Sequence, residues 1–111
     1  LKLSLDEINL AEIGTLHFEK PDLQKYPSLK LGYEVVEHGG LAGAAFNAAK
    51  EEALDSFINY KLSFPAMADV VRATMDELNS KNELDHEIDI EKIMELDLLA
   101  RSIAKNYVEK I

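Results

Sequence analysis

The segment LAGAAFNAAKEEALDSF, residues 41–57, carries the clearest period in the chain. Its apolar side chains recur at spacings of three and four residues: Phe46, Ala49, Ala53 and Phe57, with Leu54 and Ile58 repeating the same spacing. That spacing places them on one face of an α-helix. The opposite face is charged, and we expect it to meet solvent; it carries Lys50, Glu51, Glu52 and Asp55.

The first half of this segment is rich in alanine and contains Gly43. Small side chains let a neighbouring helix approach closely, so the pattern predicts the central helix of a bundle. Asn47 is the polar exception among the alanines. Because its amide needs partners if it is buried, we predict that Asn47 is buried and hydrogen-bonded to a neighbouring backbone.

Composition limits the classes of protein to which the chain can belong. A length of 111 residues with 47% apolar and 7% aromatic residues is typical of one globular domain. No apolar run is long enough to span a membrane, and no signal-peptide pattern is present. A net charge of −9 disfavours nucleic acid as a partner. Cysteine is absent, which excludes disulfides and fits a reducing compartment, so we expect a cytoplasmic protein.

Residues 1–20 lack the pattern of a long helix. Polar and apolar residues alternate at 2–5 and at 15–18, which predicts two short extended pieces, and residues 6–12 predict a helical turn or two that stops at Gly14. The segment is too apolar for a free solvated tail; it carries Leu3, Leu5, Ile8, Leu10, Ile13, Leu16 and Phe18. We predict an extended linker that lies on something else, and self-association of the isolated chain through residues 1–20.

Two helices are predicted next. Pro27 suits a first helical turn, and Gly39 with Gly40 ends that helix with a left-handed glycine as the cap. Its predicted apolar face is Leu29, Tyr33 and Val36, with Leu31 and Val35 beside it. The second helix covers about residues 41–60.

The third predicted helix opens at Pro65, with Ser63 or Phe64 near its cap. Its apolar face consists of Met67, Val70, Val71, Met75 and Leu78. Turn-forming residues at 79–82 end it, and residues 79–89 predict a solvated acidic loop.

Asp89 predicts the N-cap of a fourth helix, with Glu91 in its first turn. Its apolar face is predicted as Ile90, Ile93, Met94, Leu96, Leu99, Ala100, Ile103, Ala104, Tyr107 and Ile111. The register slips after Met94, which predicts a break with Asp97 as a second cap; a single curved helix is the alternative. The chain is thus predicted to be all-α: a bundle of about four helices over residues 21–111, preceded by a linker over residues 1–20.

Several clusters of polar residues are candidate sites. Asp85, His86, Glu87, Asp89 and Glu91 could offer oxygen ligands to Ca²⁺ or Mg²⁺, but no glycine-containing loop of suitable spacing is present, so a solvated loop is favoured. Glu51, Glu52 and Asp55 could serve general acid–base chemistry, yet on an amphipathic helix they fit the solvent face better.

The remaining candidates have ordinary explanations. A histidine at a helix end is stabilised by the helix dipole, which suffices for His38, and His17 has no visible acid–base partner. Ser56 and Ser63 lack the surroundings of a nucleophile. The third-helix methionines, Met67 and Met75, fit a core stripe. We therefore expect no catalytic, cofactor-binding or metal-ligating residue in this chain.

Three runs together resemble one family: GTLHFEKPDLQKYPSLKLGYE at 14–34, AAFNAAKEEALDSF at 44–57 and LDLLARSIAKNYV at 96–108. The chain resembles the C-terminal part of 1-deoxy-D-xylulose 5-phosphate reductoisomerase, namely the end of its linker and the helical bundle that follows. Residues 18–22 and the pattern around Asn47 are the most specific. Lys50 stands where the family usually has Asn, and Ser28 stands where Cys is common.

The resemblance implies a place in non-mevalonate isoprenoid biosynthesis. The family's enzyme isomerises and reduces its sugar phosphate with NADPH and a divalent metal, Mg or Mn, on domains that precede the matched part. This sequence has no G-x-G-x-x-G turn and no Trp for the family's lid. The resemblance therefore implies no cofactor in this chain itself, a structural role, and the catalytic domain as its partner.

Two alternatives remain at this point. A free-standing helical module could bind a protein partner through an exposed groove. A small acid–base enzyme could use the carboxylates Glu51, Glu52 and Asp55. A natural reading frame that extends upstream of Leu1 into a cofactor-binding domain would exclude the free-standing module.

Overall fold

The computed structural model describes residues 8–111, and this part of the chain is all-helical. A short helix, α1 (Leu10–Ile13), precedes four longer ones: α2 (Pro27–His38), α3 (Ala42–Ile58), α4 (Phe64–Ser80) and α5 (Ile90–Val108). Helix α3 packs against α2, α4 and α5, and α4 also contacts α2 and α5. The prediction of an all-α bundle built around the alanine-rich segment is confirmed.

The centre of the bundle is a contact between small side chains. The alanines of α3 that face inward are almost fully buried: Ala42, Ala45, Ala48, Ala49 and Ala53. Ala100 and Ala104 on α5 have no exposed surface at all. Since alanine adds little beyond its backbone, the two helix backbones can approach closely here. Larger side chains close the core around this contact, among them Val70, Met75, Leu78, Leu96 and Ile103.

The prediction for Asn47 is wrong. The residue is exposed, and its Nδ2 donates to Glu51 Oε1 at 3.2 Å, one turn along the same helix. Residues advance by about 100° around a helix, so Asn47 lies one position away from the buried Ala48. The prediction for Glu52 is wrong in the opposite sense: we expected this residue to meet solvent, and it is buried.

The outer apolar residues of α3 are also less buried than predicted. Ala49 and Ala53 are buried and Phe46 is half-buried, but Leu54, Phe57 and Ile58 are exposed at the edge of the helix. The buried stripe is therefore rotated toward the alanines. Large apolar residues give the stronger periodic signal, whereas the residues that are buried most completely on α3 are the smaller ones.

On α2 the predicted face is the wrong one. Leu31 is buried and Val35 half-buried, one helical turn apart, and both turn toward the core. Leu29, Tyr33 and Val36 are exposed, with Val36 82% exposed. Apolar residues surround this helix, so periodicity alone could not decide which stripe packs against α3 and α4.

Helix α4 follows the prediction closely. Ser63 occupies the N-cap position and Pro65 lies in the first turn. Val70, Val71, Met75 and Leu78 are buried, and Met67 is half-buried. Thr74, also fully buried, is satisfied because its Oγ1 donates to the Val70 carbonyl at 2.8 Å.

The prediction of a solvated acidic loop over residues 79–89 is only partly right. The helix continues through Ser80, and Leu84 inserts into the core. The Leu84 carbonyl accepts a hydrogen bond from the Leu41 N–H at 3.1 Å. Gly40 has a φ of +53°, and a Cβ at this position would lie 2.7 Å from the same carbonyl oxygen. The corner between α2 and α3 therefore needs glycine both for its backbone angle and for space.

Helix α5 is continuous, so the predicted break at Asp97 is wrong and the single-helix alternative is right. Asp97 does not cap a second helix; it accepts a hydrogen bond from Arg101. Asp89 precedes the first turn as predicted, although its side chain makes no capping bond. Three residues of the predicted apolar face are exposed: Ile90, Met94 and Ile111.

Residues 8–20, here named the arm, stand apart from the bundle. Helix α1 is the predicted short turn, capped by Asn9 and ended by Gly14, and it contacts none of the four longer helices. The predicted extended piece at 15–18 forms no strand, and the one at 2–5 lies outside the described residues. The radius of gyration is 18.0 Å, whereas a compact chain of this length would have about 13 Å.

We predict that Ala48→Leu lowers the free energy of unfolding by about 1–3 kcal/mol, because the contact between α3 and α5 has no room for a larger side chain. The control is the same substitution one position earlier. Asn47→Leu should stay within about 0.5 kcal/mol, since Asn47 is exposed. Urea denaturation followed by circular dichroism measures both, and equal losses would contradict the structure.

We also predict opposite effects for two glycine substitutions. Gly40→Ala should destabilise by about 1–3 kcal/mol, since it combines a positive φ with a clash against Leu84. Gly43→Ala should stabilise by up to about 1 kcal/mol, because Gly43 lies in α3 with open space around its Cα. Thermal melts of the two proteins test the corner directly, and a neutral Gly40→Ala would show that the corner is not tight.

Candidate functional site

The carboxylates of α3 face cations on α5. Glu51 Oε2 lies 2.6 Å from Arg101 Nη2, and Arg101 Nε donates to Asp97 Oδ2 at 2.7 Å. Glu52 Oε2 lies 3.7 Å from Lys105 Nζ. Glu52 has little exposed surface, and Lys105 supplies an opposite charge for its carboxylate. These groups bind α3 to α5.

The electrostatics of Glu51 do not suit general acid–base catalysis. The hydrogen bond from Arg101 lowers the pKa of Glu51 below its ordinary value of 4.5, and the Asn47 amide lowers it further. A catalytic carboxyl that exchanges a proton near neutral pH needs a raised pKa. Asp55, the third carboxylate of the predicted set, is exposed on α3 and makes no pair with the other two.

The acidic residues of the loop before α5 are not gathered into a site. Over residues 8–111, no group of three or more metal-type side chains is close enough to hold an ion. Asp85 instead pairs with His38, whose Nε2 lies 2.9 Å from Asp85 Oδ1. His86 Nε2 lies 3.6 Å from Glu83 Oε2. The His38 partner comes from 47 positions along the chain, so sequence spacing could not reveal it.

The remaining serine, methionine and histidine candidates occupy ordinary structural positions. Ser56 is buried in α3, Ser63 occupies a cap position, and Met75 belongs to the core. His17 is exposed on the arm.

Two further ion pairs were missed by the sequence analysis. Arg72 on α4 donates to Glu34 on α2. Lys81 Nζ lies 2.6 Å from Glu77 Oε1. This hydrogen bond from Lys81 lowers the pKa of Glu77, and the Tyr107 hydroxyl lowers it further. The four-residue spacing of Glu77 and Lys81 could have been noticed beforehand. The pairing of Glu34 with Arg72 depends on how helices pack and could not.

Two cavities of the bundle differ in the chemistry of their lining. One of about 100 Å³ lies between α2 and α4, and half of its lining is polar or charged: Glu34, His38, Arg72, Asp76 and Asn79. Several of these groups already pair with one another or with the following loop, as Arg72 does with Glu34 and His38 with Asp85. Another, of about 320 Å³, lies between α3 and α4 and is lined mainly by apolar side chains, with Lys50 as its charged residue. Cofactor sites usually add several placed polar groups to such an apolar pocket.

The described residues thus define a small helical bundle whose charged side chains join its helices and whose arm exposes apolar side chains. None of its helices is long and apolar enough to cross a membrane, within the part that the structure describes. The profile of the DXP reductoisomerase C-terminal domain matches residues 2–103. The chain belongs to this family.

Similar proteins extend well beyond the matched part. The 1-deoxy-D-xylulose 5-phosphate reductoisomerases of Jannaschia sp. (strain CCS1) and Ruegeria sp. (strain TM1040) are 42% and 44% identical over 103 and 100 residues. The match covers 92% and 89% of this chain but only 26% and 25% of the relatives. The chain therefore spans about a quarter of their length.

Solved structures also match nearly all of this chain with only part of their own length. The reductoisomerase of Zymomonas mobilis in complex with NADPH has a TM-score of 0.82 and 26% identity, covering 100% of this chain and 28% of that one. A DOX-P reductoisomerase in complex with magnesium has a TM-score of 0.85 and 27% identity, covering 98% and 28%. The bundle fold recurs in both.

The bond between Glu51 and Arg101 predicts a pH dependence of stability. Because the pKa of Glu51 is lowered in the folded state, its contribution is present above the ordinary value of 4.5 and is lost as pH falls through the folded pKa. Arg101→Met should therefore lower the urea midpoint at pH 7, and the difference from the unmodified chain should shrink as the pH falls below the ordinary value.

The matched control is Lys92→Met, which removes a single pair between exposed side chains on α5. That change should leave the urea midpoint nearly unaltered at either pH. A difference between Arg101→Met and the unmodified chain that persists unchanged into acid would exclude Glu51 as the partner that matters.

Proposed function

We propose that this chain serves as the C-terminal structural domain of a 1-deoxy-D-xylulose 5-phosphate reductoisomerase. The observation that carries the proposal is the family match over residues 2–103, which includes the arm as well as the bundle. In the longer relatives the same part accounts for about a quarter of the protein. The remaining length is where this proposal places NADPH, the divalent metal and catalysis.

The role proposed for the bundle is to support a neighbouring catalytic domain. Some of its charged groups pair between its own helices, as Arg101 does with Glu51 and Arg72 with Glu34. The apolar side chains exposed on the arm offer a contact surface for another domain. We propose residues 1–20 as the linker, residues 21–111 as the domain, and no catalytic, cofactor or metal ligand within either.

The parent enzyme's setting follows from the same proposal. It would act in isoprenoid biosynthesis by the non-mevalonate route, use NADPH with Mg or Mn, and work in the cytoplasm. The solved relatives with NADPH and with magnesium support the cofactor part. The absence of cysteine agrees with a reducing compartment.

A chimera tests the proposed function. The C-terminal part of the Jannaschia enzyme that matches this chain is replaced by the chain, and NADPH oxidation is followed with 1-deoxy-D-xylulose 5-phosphate as substrate. We expect kcat/KM within about tenfold of the parent, a loss of no more than about 1.4 kcal/mol in transition-state stabilisation. The 111-residue chain alone should oxidise no NADPH.

Two controls make the result decisive. The Jannaschia enzyme truncated before the matched part should be inactive, and the same enzyme with its own C-terminal part restored should be active. A chimera that is folded and monodisperse, yet as inactive as the truncated enzyme, would overturn the proposal and favour a free-standing interaction module.

A further inference from the structure

An apolar groove lies between α3 and α4, beside the first turn of α2. We name it the α3/α4 groove, and its apolar lining consists of Phe46, Ala53 and Leu54 on α3 and of Met67 and Val71 on α4. Its cavity has a volume of about 320 Å³. One turn further along, Phe57 and Phe64 meet edge to face, with ring centroids 5.8 Å apart. Grooves between helices take apolar side chains of a partner.

The groove is next to the point at which the chain enters the bundle. Ser28, in the first turn of α2, belongs to the lining of the cavity. The turn that separates the arm from α2 is compact, since the Asp22 carbonyl accepts a hydrogen bond from the Tyr26 N–H at 2.9 Å. Exposed apolar side chains continue from the arm through this turn, as at Phe18, Leu23 and Tyr26. A domain that is joined to the bundle through the arm can therefore reach the groove.

A second exposed apolar set, on α5, is less suited to a partner. Ile90, Met94 and Leu98 repeat every four residues and are 75%, 64% and 70% exposed. They form a stripe on one helix, with the acidic residues Glu91 and Glu95 beside them. A groove between two helices surrounds an inserted side chain on several sides, whereas a stripe on one helix touches it on one side only. We name this set the α5 stripe.

The charge in the groove indicates the chemistry of its partner. Lys50 is the charged residue of the lining. Its sequence neighbours Glu51 and Glu52 pair with Arg101 and Lys105 on α5. A cation in an apolar surface favours a partner that brings an acidic side chain to the same place. The groove is thus suited to a protein surface that combines apolar side chains with a carboxylate.

We propose that the part of the parent enzyme that precedes the arm packs into the α3/α4 groove. It inserts apolar side chains between Leu54 and Met67 and brings an acidic group to Lys50. This inference rests on the proposed function: the match is to a C-terminal domain and spans about a quarter of the longer relatives, so the arm is the tether to the rest. The groove is then a second contact, in addition to the arm.

The three methionines of the chain report on this contact without any substitution. Met67 lines the groove, Met94 lies in the α5 stripe, and Met75 is buried in the core. Oxidation by dilute hydrogen peroxide is followed by mass spectrometry in the free chain and in the chimera described above. Met67 should oxidise at least about threefold more slowly in the chimera, because its sulfur is covered there. Met94 should oxidise at the same rate in both proteins, and Met75 slowly in both.

Substitutions in the chimera test whether the groove itself makes the contact. Leu54 lies at the exposed edge of α3, so Leu54→Glu should leave the helical circular dichroism signal of the free chain unchanged. In the chimera it should return Met67 to the oxidation rate of the free chain. The matched control Leu98→Glu, in the α5 stripe, should leave Met67 protected. If Leu54→Glu unfolds the free chain, Phe64→Asp replaces it, because Phe64 is 69% exposed in the first turn of α4.

Activity and oxidation separate this inference from the proposed function. An active chimera in which Met67 oxidises as fast as in the free chain would overturn the groove contact. A folded but inactive chimera with Met67 protected would support the contact and overturn the enzyme, and an inactive one with Met67 unprotected would overturn both.

Two further outcomes would assign the contact elsewhere and overturn the proposal. Protection of Met94 in place of Met67 would mean that the preceding part packs on the α5 stripe. Protection of Met67 that appears in the free chain as its concentration rises would mean that a second copy fills the groove.

Discussion

The close approach of α3 and α5 through alanine is the contact on which the rest of the bundle depends. Ala48 and Ala49 on one side and Ala100 and Ala104 on the other are buried without exposed surface. Alanine buries little apolar area, so this contact contributes mainly by bringing backbones together. Stabilising area then comes from larger side chains that close around it, such as Leu78 and Leu96. The small residues let the α3 and α5 backbones approach closely, and burial of the larger apolar side chains supplies most of the hydrophobic stabilisation.

The charged residues reinforce the same geometry from outside. Arg101 joins Asp97 on its own helix to Glu51 on α3, and Lys105 reaches Glu52 one turn further on. A planar guanidinium can donate to two carboxylates at once, so Arg101 fixes a relative position where a lysine would fix only a distance. Two of the three α3 carboxylates that first suggest an acidic site, Glu51 and Glu52, therefore pair with α5 instead. This use leaves the described residues of α3 and α5 without a free acid–base pair.

How much the sequence could predict differs between elements. Helix ends follow from local chemistry, and Pro27, Gly39 and Ser63 lie where the pattern put them. The buried face of α4 follows too, because its apolar residues form one stripe. The faces of α2 and α3 do not, since each helix carries two apolar stripes and only the packed structure chooses between them. Asn47 was misplaced for that reason: a rotation of one residue exchanges buried for exposed.

The candidate site was predictable only in part. The spacing of Asp97 and Arg101 can be read from the sequence as a one-turn pair, but the third member, Glu51, is 50 positions away. His38 likewise meets Asp85 across the fold. Contacts of this kind come from tertiary packing, and the periodicity of a local segment does not reveal them. Family resemblance supplied what periodicity lacked, since the order and spacing of three runs already pointed to the domain that the comparisons identify.

The bundle and the arm differ in whether their apolar side chains are covered within this chain. The bundle closes its own core, with Val70, Leu78 and Ile103 among the residues that it hides. The arm closes no core, because its single helical turn packs against none of the longer helices and has no second layer of its own. An apolar segment of this kind is stable only when some other surface covers it. Whatever covers the arm, another domain or a second copy, must therefore bring the missing layer, and the chain contributes a rigid bundle on which that layer can be positioned.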